Sequence, residues 1–302
     1  MTVPVDAATI VGRPADRAED AEHAEAAPPW FRRLPPFGVS LAMLLLAVLL
    51  LAAVFPGLLT SHDPLDTSPA TTFAPASAEH WLGTDQLGRD VFSRLVHGAF
   101  YSISLGLGAA AIGAVGGIIL GVIAGYARGA VDRVISRILD VALAFPEVLI
   151  ALLTITILGA GQWSLLLAVG LGRIPGSARL VRSQVMQIRE SGYVESGIVL
   201  GLKPSTLVLR HVLPNSLGPV LVNAVIGVGV CIIFGAGLSF LGLGAVPPTP
   251  EWGLMLSEAR QYLGVNPWIA IWPGVAITIT VVAVTVTGRW LQQHFITRRS
   301  SL

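Results

Sequence analysis

Residues 193–215 read YVESGIVLGLKPSTLVLRHVLPN, a polar, broken segment between two long apolar stretches. Whether it crosses a membrane or connects two crossings decides the fold. Glu195, Lys203, Arg210 and His211 are together too costly to place in hydrocarbon, and Pro204 interrupts any helix that would carry them across. The segment is therefore a connection. Residues 193–200 make two helical turns, and Val194, Ile198 and Leu202 recur at four-residue spacing as a narrow apolar stripe beside an exposed Glu195. Gly201 suits the left-handed position that ends a helix, with Leu202 as the apolar contact after it and Pro204 shortly beyond. A second short helix runs from about Pro204 to Val212, and Pro214 punctuates the entry to the next apolar run. Such a helix-turn-helix offsets its ordering entropy only by packing on something.

The flanking stretches set the solvent. Of 302 residues, 53% are hydrophobic and 12% charged, with a mean hydropathy of +0.73; the charged share is about half that of a soluble domain. A bilayer core of about 30 Å needs roughly 20 apolar helical residues. Runs of that length predict spans near 38–59, 100–125, 138–160, 163–182, 217–241 and 268–290, the fourth ending its clean apolar part at Arg173. None shows two-residue alternation, so the expected fold is all-α and polytopic, with six transmembrane helices and no barrel.

Residues 1–37 are expected to be a disordered cytoplasmic tail, acidic and rich in Ala and Pro up to residue 29, followed by an uncleaved first span. Residues 38–99 hold that span and an extracytoplasmic segment, residues 100–290 the main transmembrane domain, and residues 291–302 a cytoplasmic C-terminal tail. Trp30-Phe31-Arg32-Arg33 before the first span places the N-terminus in the cytoplasm, and six crossings return the C-terminus there. Arg133, Arg137, Arg179, Arg182, Lys203 and Arg298 fall on that same side, whereas Arg89, Arg94 and Arg260 lie outside, each near an acidic residue. The net charge of +1 carries no nucleic-acid signal, and membrane lipid is the expected surrounding.

The chain's one lysine, Lys203, follows Leu202 and belongs to no P-loop, so ATP is not bound by that route. The histidines are dispersed without ligand spacing, and no Gly-x-Ser-x-Gly elbow occurs. No catalytic residue, metal site or cofactor is expected in this chain. Cys231, alone and within the fifth span, reads as a packing residue.

Several further residues invite two readings. Thr84 or Asp85 can cap an amphipathic helix containing Val91, Phe92 and Leu95 at the outer surface, ahead of the second span. His80, Asp85, Asp90 and His97 are ligand types, but nothing fixes them on one face, and capping with solvation is the expectation. Pro247, Pro248 and Pro250 stiffen the loop after the fifth span, which with Trp252 is either a docking surface or plain structure. Gly113, Gly117, Gly121 and Gly125 form a small-residue stripe along the second span, expected to pack inside the subunit. Arg128, Asp132, Arg133 and Arg137 read as a solvated, orientation-setting loop.

At the spacings Glu195, Gly201, Leu213 and Pro214, residues 193–215 resemble the cytoplasmic signature of ABC importer permease subunits, Glu-Ala-Ala, three residues, Gly, nine residues, then hydrophobic-x-Leu-Pro. Ser196 and Gly197 replace the two alanines, and His211 the hydrophobic position. HWLGTDQLGRDVFSRLVHG at 80–98, LDVALAFPEVLIA at 139–151, ARLVRSQVMQIRESGYVESG at 178–197 and LSFLGLGAVPPTPEWG at 238–253 are similar to the C-type subunit of dipeptide, oligopeptide and nickel permeases. The resemblance spans nearly everything from His80 to Trp290. It implies a type I ABC importer transmembrane fold in a bacterial cytoplasmic membrane, working by alternating access on di- or oligopeptides. It also implies a homologous second permease, two cytoplasmic ATPase subunits holding ATP and Mg, and an extracytoplasmic binding protein. Tyr193, Glu195, Ser196, Gly197, Gly201, Leu213 and Pro214 would then couple to the ATPase, and Pro247, Pro248 and Trp252 would receive the binding protein. Nickel chelates or glutathione are alternative cargoes, and a secondary transporter or channel without ATPase partners is the alternative class.

Glu147 and Arg173 complete the candidates. Each lies about nine residues, or about 13 Å, from the inner end of its span, with Pro146 and Pro175 beside them. Ionisable groups at such depth face a cavity or a partner. They are expected either to line the transport path and meet the charged ends of a peptide, or to form a structural ion pair; a snorkelling Arg173 is the third option.

Overall fold

The computed structural model describes residues 35–127 and 129–295. The expected tails lie largely outside these residues, as does Arg128. The chain forms α1 (Phe37–Val54), α2 (Val91–Tyr126), α3 (Ala130–Ala144), α4 (Glu147–Leu158), α5 (Gln162–Arg189), α6 (Gly192–Val199), α7 (Pro204–Leu207), α8 (Leu213–Phe240), α9 (Trp252–Ala259) and α10 (Trp268–Phe295). Among the described residues there is no strand. The first, second, fourth, fifth and sixth expected spans appear as helices long and apolar enough to cross a membrane.

The third does not appear as one helix. Phe145 is extended, at φ −87° and ψ 138°, because Pro146 after it disfavours helical backbone. The chain therefore turns by 92° between α3 and α4. With 12 residues α4 is only about 18 Å long, too short to cross a bilayer core by itself. Asp132, Arg133 and Arg137, expected in a solvated loop, lie instead on the amphipathic α3. Arg182 of α5 grips Asp132 with two hydrogen bonds of 2.6 and 2.8 Å, and Arg179 pairs with Asp140.

Two other boundaries moved. The cap at the start of α2 is Asp90, which accepts from the Ser93 amide at 2.6 Å, so the expected caps Thr84 and Asp85 do other work. The residues expected as a separate surface helix are the first turns of α2 itself, which runs 36 residues without a break. Before α8, residues Val208–Val212 form a π turn that joins α7 to α8 as one rod. Pro214 has no amide proton and crowds the preceding turn; widening that turn to π spacing relieves the clash, so the proline falls within the rod.

The glycine stripe fixes the centre of the bundle. A Cβ on Gly113, Gly117, Gly121 or Gly125 would lie 2.8, 2.4, 2.5 or 2.8 Å from the Cβ of Arg173, Ser177, Val181 or Val185 respectively. The numbering rises together on both helices, so α2 and α5 are parallel. Segment 127–161 must therefore return the length of the bundle between them, which the α3–α4 pair does. Cys231 is buried in the core with Leu105, Leu165 and Ile232.

At the end away from α6, a buried carboxylate ties three helices. Glu251 caps α9 by accepting from the amides of Gly253 and Leu254, both at 2.8 Å. It also accepts from the hydroxyls of Ser102 on α2 and Ser239 on α8. Nearby, Asp85, Arg89, Arg94 and Glu258 form a buried ionic network in which Glu258 receives both arginines at 3.0 and 3.1 Å.

Gly117→Val is expected to destabilise the protein by at least about 1–3 kcal/mol through overpacking against α5, whereas Gly237→Ala, with open space around it, leaves the melting temperature in detergent unchanged or raised. Glu251→Ala is expected to cost about 2–6 kcal/mol, since each buried amide left unpaired costs about 1–3; Glu251→Gln should recover part of the melting temperature. Unchanged thermal stability in Gly117→Val or Glu251→Ala would contradict these assignments.

Candidate coupling surface and transport cavity

α6 is anchored by one residue. Val194 is fully buried among Val181 and Val185 of α5, Val212 of the π turn and Val220 of α8. Gly197, also buried, leaves room for Leu207 and Leu202; a Cβ there would meet their methyl carbons at 2.7 and 3.3 Å. The underlying platform is closed by Arg189, whose guanidinium donates to the last-turn carbonyl of Gly125 at 2.9 Å and so joins the ends of α2 and α5. Nothing in the sequence spacing marked Arg189 for this task.

The end of α6 is a Schellman turn. The Gly201 amide donates to the Ile198 carbonyl and the Leu202 amide to the Gly197 carbonyl, both at 3.0 Å. Gly201 has φ +74°, as its position predicts, and a Cβ there would meet nothing within 4 Å. The requirement for glycine is thus one of backbone conformation alone.

Ile198 departs from expectation. It does not continue the buried stripe of Val194 but is 56% exposed, and Val199 and Leu200 beside it are 83% and 80% exposed. With Tyr193, Leu202 and Leu209 they form an open apolar surface around the exposed Glu195 and Ser196. Leu213 is half-buried and Pro214 exposed at its edge. Contiguous apolar exposure beside charged side chains is a mark of an interaction surface.

Glu147 and Arg173 open on one cavity of about 370 Å³, lined from α3, α4, α5 and α8. Glu147 stands in the first turn of α4, where its negative charge suits the helix N-terminus. Arg173 lies midway along α5 and reaches toward α8: a Cβ on Gly227 would be 3.0 Å from one of its terminal nitrogens. It therefore does not snorkel to a helix end. Gly172 makes the matching room for Glu147, whose Cγ would be 2.9 Å from an added Cβ. Neither side chain meets an opposite charge within 4.0 Å among the described residues, so the expected ion pair is not the arrangement found. Ser177 and Asn223 supply neutral polar groups to the same wall.

At the far end, Pro247 and Pro248 are exposed, but Trp252 is not. Its ring is 1% exposed, and its indole N–H donates to the Leu95 carbonyl at 3.0 Å. Trp252 packs with Ala52, Ala99, Ile103 and Met255 as core, so the expected docking role for it is withdrawn. His80 pairs with Asp90 through Nδ1 at 3.0 Å, His97 Nδ1 bonds the Ser93 carbonyl, and Asp85 serves Arg89. These four ligand-type residues thus have capping and pairing tasks.

Residues 117–301 match the family described as binding-protein-dependent transport system inner membrane component. The chain is 39% identical over 271 residues to the dipeptide transport system permease protein DppC of Alkalihalophilus pseudofirmus, which covers 88% of this chain and 89% of the relative. It is 42% identical over 231 residues to the glutathione transport system permease protein GsiD of Pectobacterium atrosepticum, covering 76% of this chain and 74% of the relative. Among solved structures, an inward-facing form of the MetNI methionine ABC transporter aligns with a TM-score of 0.55 at 21% identity, over 66% of this chain and 95% of that one; this likeness speaks for the fold. The match over most of the helical bundle, together with relatives that align along most of both chains, means that this protein belongs to the binding-protein-dependent inner membrane components, the permease family of ABC importers.

Proposed function

We propose that the chain is one of two permease subunits of an ATP-driven importer of short peptides, with residues 193–215 as its contact to a cytoplasmic ATPase subunit. The observation that carries this reading is the open apolar face of Ile198, Val199 and Leu200, held on a helix that is pinned through Val194 and stopped by Gly201. An apolar face of this kind gains by docking, and its rigid seat would let a push on it move the bundle. In this reading Tyr193, Glu195, Ser196, Gly197, Gly201, Leu213 and Pro214 form the coupling element. ATP and Mg are held by two ATPase partners, an extracytoplasmic binding protein delivers cargo, and Pro247 and Pro248 belong to the surface it meets.

Both termini are cytoplasmic, by the arginines flanking the first span and by those at the α6 end of the bundle. The cavity bearing Glu147 and Arg173 is the transport path, exposed in turn to each side by alternating access. Short peptides are the cargo class because a dipeptide permease and a glutathione permease are both relatives at about 40% identity. Glutathione is the second reading, favoured by the 42% identity to that permease. Uptake of labelled dipeptide by proteoliposomes holding the complete complex, challenged with excess glutathione, separates them: uptake that glutathione abolishes and that labelled glutathione reproduces assigns the second cargo.

Gly201→Val is expected to reduce peptide uptake at least about tenfold while the complex still assembles, because positive φ costs a β-branched residue about 1–3 kcal/mol at the coupling turn. Gly201→Asn, which tolerates that conformation, should restore most uptake; equal uptake in Gly201→Val and the parent would contradict the coupling role. Cysteines placed at Ser196 or Val199 should crosslink to the ATPase subunit in a nucleotide-dependent way, and crosslinks confined to lipid or to the second permease would overturn the docking surface.

A further inference from the structure

We infer that Glu147 and Arg173 are a head-and-tail recognition pair for a zwitterionic short peptide, Glu147 taking the terminal ammonium and Arg173 the terminal carboxylate. This rests on the peptide-importer reading and adds to it a binding subsite within the permease itself.

An acid and a base, both half-buried, face one open cavity of about 370 Å³, and no partner of opposite charge lies within 4.0 Å of either among the described residues. Two such charges attract each other even near a protein surface, and flexible side chains left to themselves would close on each other. Here each stem is held by packing of its own. The Glu147 stem begins at the Pro146 break and lies against Gly172, whereas the Cβ of Arg173 is wedged on Gly113 of α2 and its guanidinium is carried to Gly227 of α8. Two glycines, 172 and 227, are what give the charged groups room in these places; larger residues there would displace them.

The separation selects the ligand. A purely cationic molecule that satisfied Glu147 would be repelled by Arg173, and a purely anionic one the reverse. A molecule with one charge of each sign at its two ends answers both, and it adds no net charge to the cavity. The guanidinium fork suits a carboxylate in particular, through two parallel N–H···O bonds. On the same lining, Ser177 and Asn223 offer neutral donors and acceptors to a peptide amide, while Leu143, Phe145 and Ile150 offer apolar contact to uncharged side chains. The volume falls within the range of small-molecule sites. The two ends and the amide of a short peptide match this set of groups; a free metal ion or a polyanion does not.

The test uses the assembled complex of this chain with its second permease and ATPase subunits in lipid nanodiscs, without the binding protein, so that discrimination arises in the membrane part. The probes are alanyl-alanine, N-acetyl-alanyl-alanine and alanyl-alanine amide, with binding followed by saturation-transfer NMR. The parent complex is expected to lose at least about tenfold in affinity when either end of the peptide is blocked, the loss of one charge-assisted hydrogen bond. Glu147→Gln should then no longer distinguish free from acetylated peptide yet still reject the amide, and Arg173→Gln should show the converse; Glu147→Asp and Arg173→Lys should each recover part of the lost discrimination. Equal affinity of the parent for all three peptides, or no binding of alanyl-alanine to a parent complex that imports it, overturns the subsite even where the glutamines fail to assemble. A Glu147→Gln, Arg173→Gln double variant that restores the parent's discrimination also overturns it, in favour of a structural pair. Failure of the complete importer, with its binding protein, to take up any peptide would instead strike the reading on which the subsite rests.

Discussion

The close approach of α2 and α5 is the constraint on which the other arrangements depend. Hydrocarbon offers no hydrophobic reward for joining two apolar helices, so contact is won by short-range dispersion, and small residues allow the backbones near enough for it. Four glycines at four-residue spacing give one helix a continuous groove, into which the Cβ atoms of residues 173, 177, 181 and 185 fit in parallel register. That register sets depth. It puts Arg173 opposite Gly113 in the middle of the bundle and Val185 opposite Gly125 near its end, so a single groove positions both the cavity wall and the seat of α6.

Much of this was legible in the sequence because it depends on local chemistry. The glycine period, the positive φ of Gly201 and the apolar runs are properties of residues close in the chain, and the structure bears out the first two and five of the six runs. The break in the third span was written in Pro146 too, but hydropathy averaged over 138–160 cannot tell a straight crossing from two helices bent at a proline. Where sequence reasoning went further astray, the deciding partner was distant. Trp252 looked like surface because it follows three prolines in a loop; its fate is set by Leu95, 157 positions earlier, whose carbonyl receives the indole N–H. Ile198 kept the spacing of Val194, yet α6 is so short and so seated that only one turn of it touches the platform.

The far end of the bundle shows the same limit for charge. Arg89 and Arg94 both pair with Asp85, close in sequence, but the second carboxylate that joins them is the distant Glu258, on α9. Two arginines and two acids buried together need one another, since removing any one would strand a charge where water cannot reach it. Glu251 solves the equivalent problem without a cation, by collecting two amides and two hydroxyls. Both devices clamp α9 to α2 by polar groups, whereas the seat of α6 itself is made of valines.

That asymmetry bears on how force would pass in the proposed import cycle. Val194 sits on Val181 and Val185, and Arg173 lies eight to twelve residues further along the same α5 helix, a distance of about 12–18 Å. A helix does not shorten under load, so a displacement of α6 would arrive at Arg173 as a movement of the whole α5 rod. Asp132 and Asp140 bind α3 to Arg182 and Arg179 of that rod, so α3 would follow, and α3 ends at the Phe145–Pro146 bend that carries Glu147. α4 begins on the other side of the bend and meets α5 through apolar packing, Ala151 and Ile155 sharing a core with Leu165 and Ala168, and not through an ion pair among the described residues. The bend between α3 and α4 thus separates the helix that ion pairs tie to α5 from the helix that carries Glu147. A push at the coupling surface would change the distance from Glu147 to Arg173, and with it the grip on anything held between them.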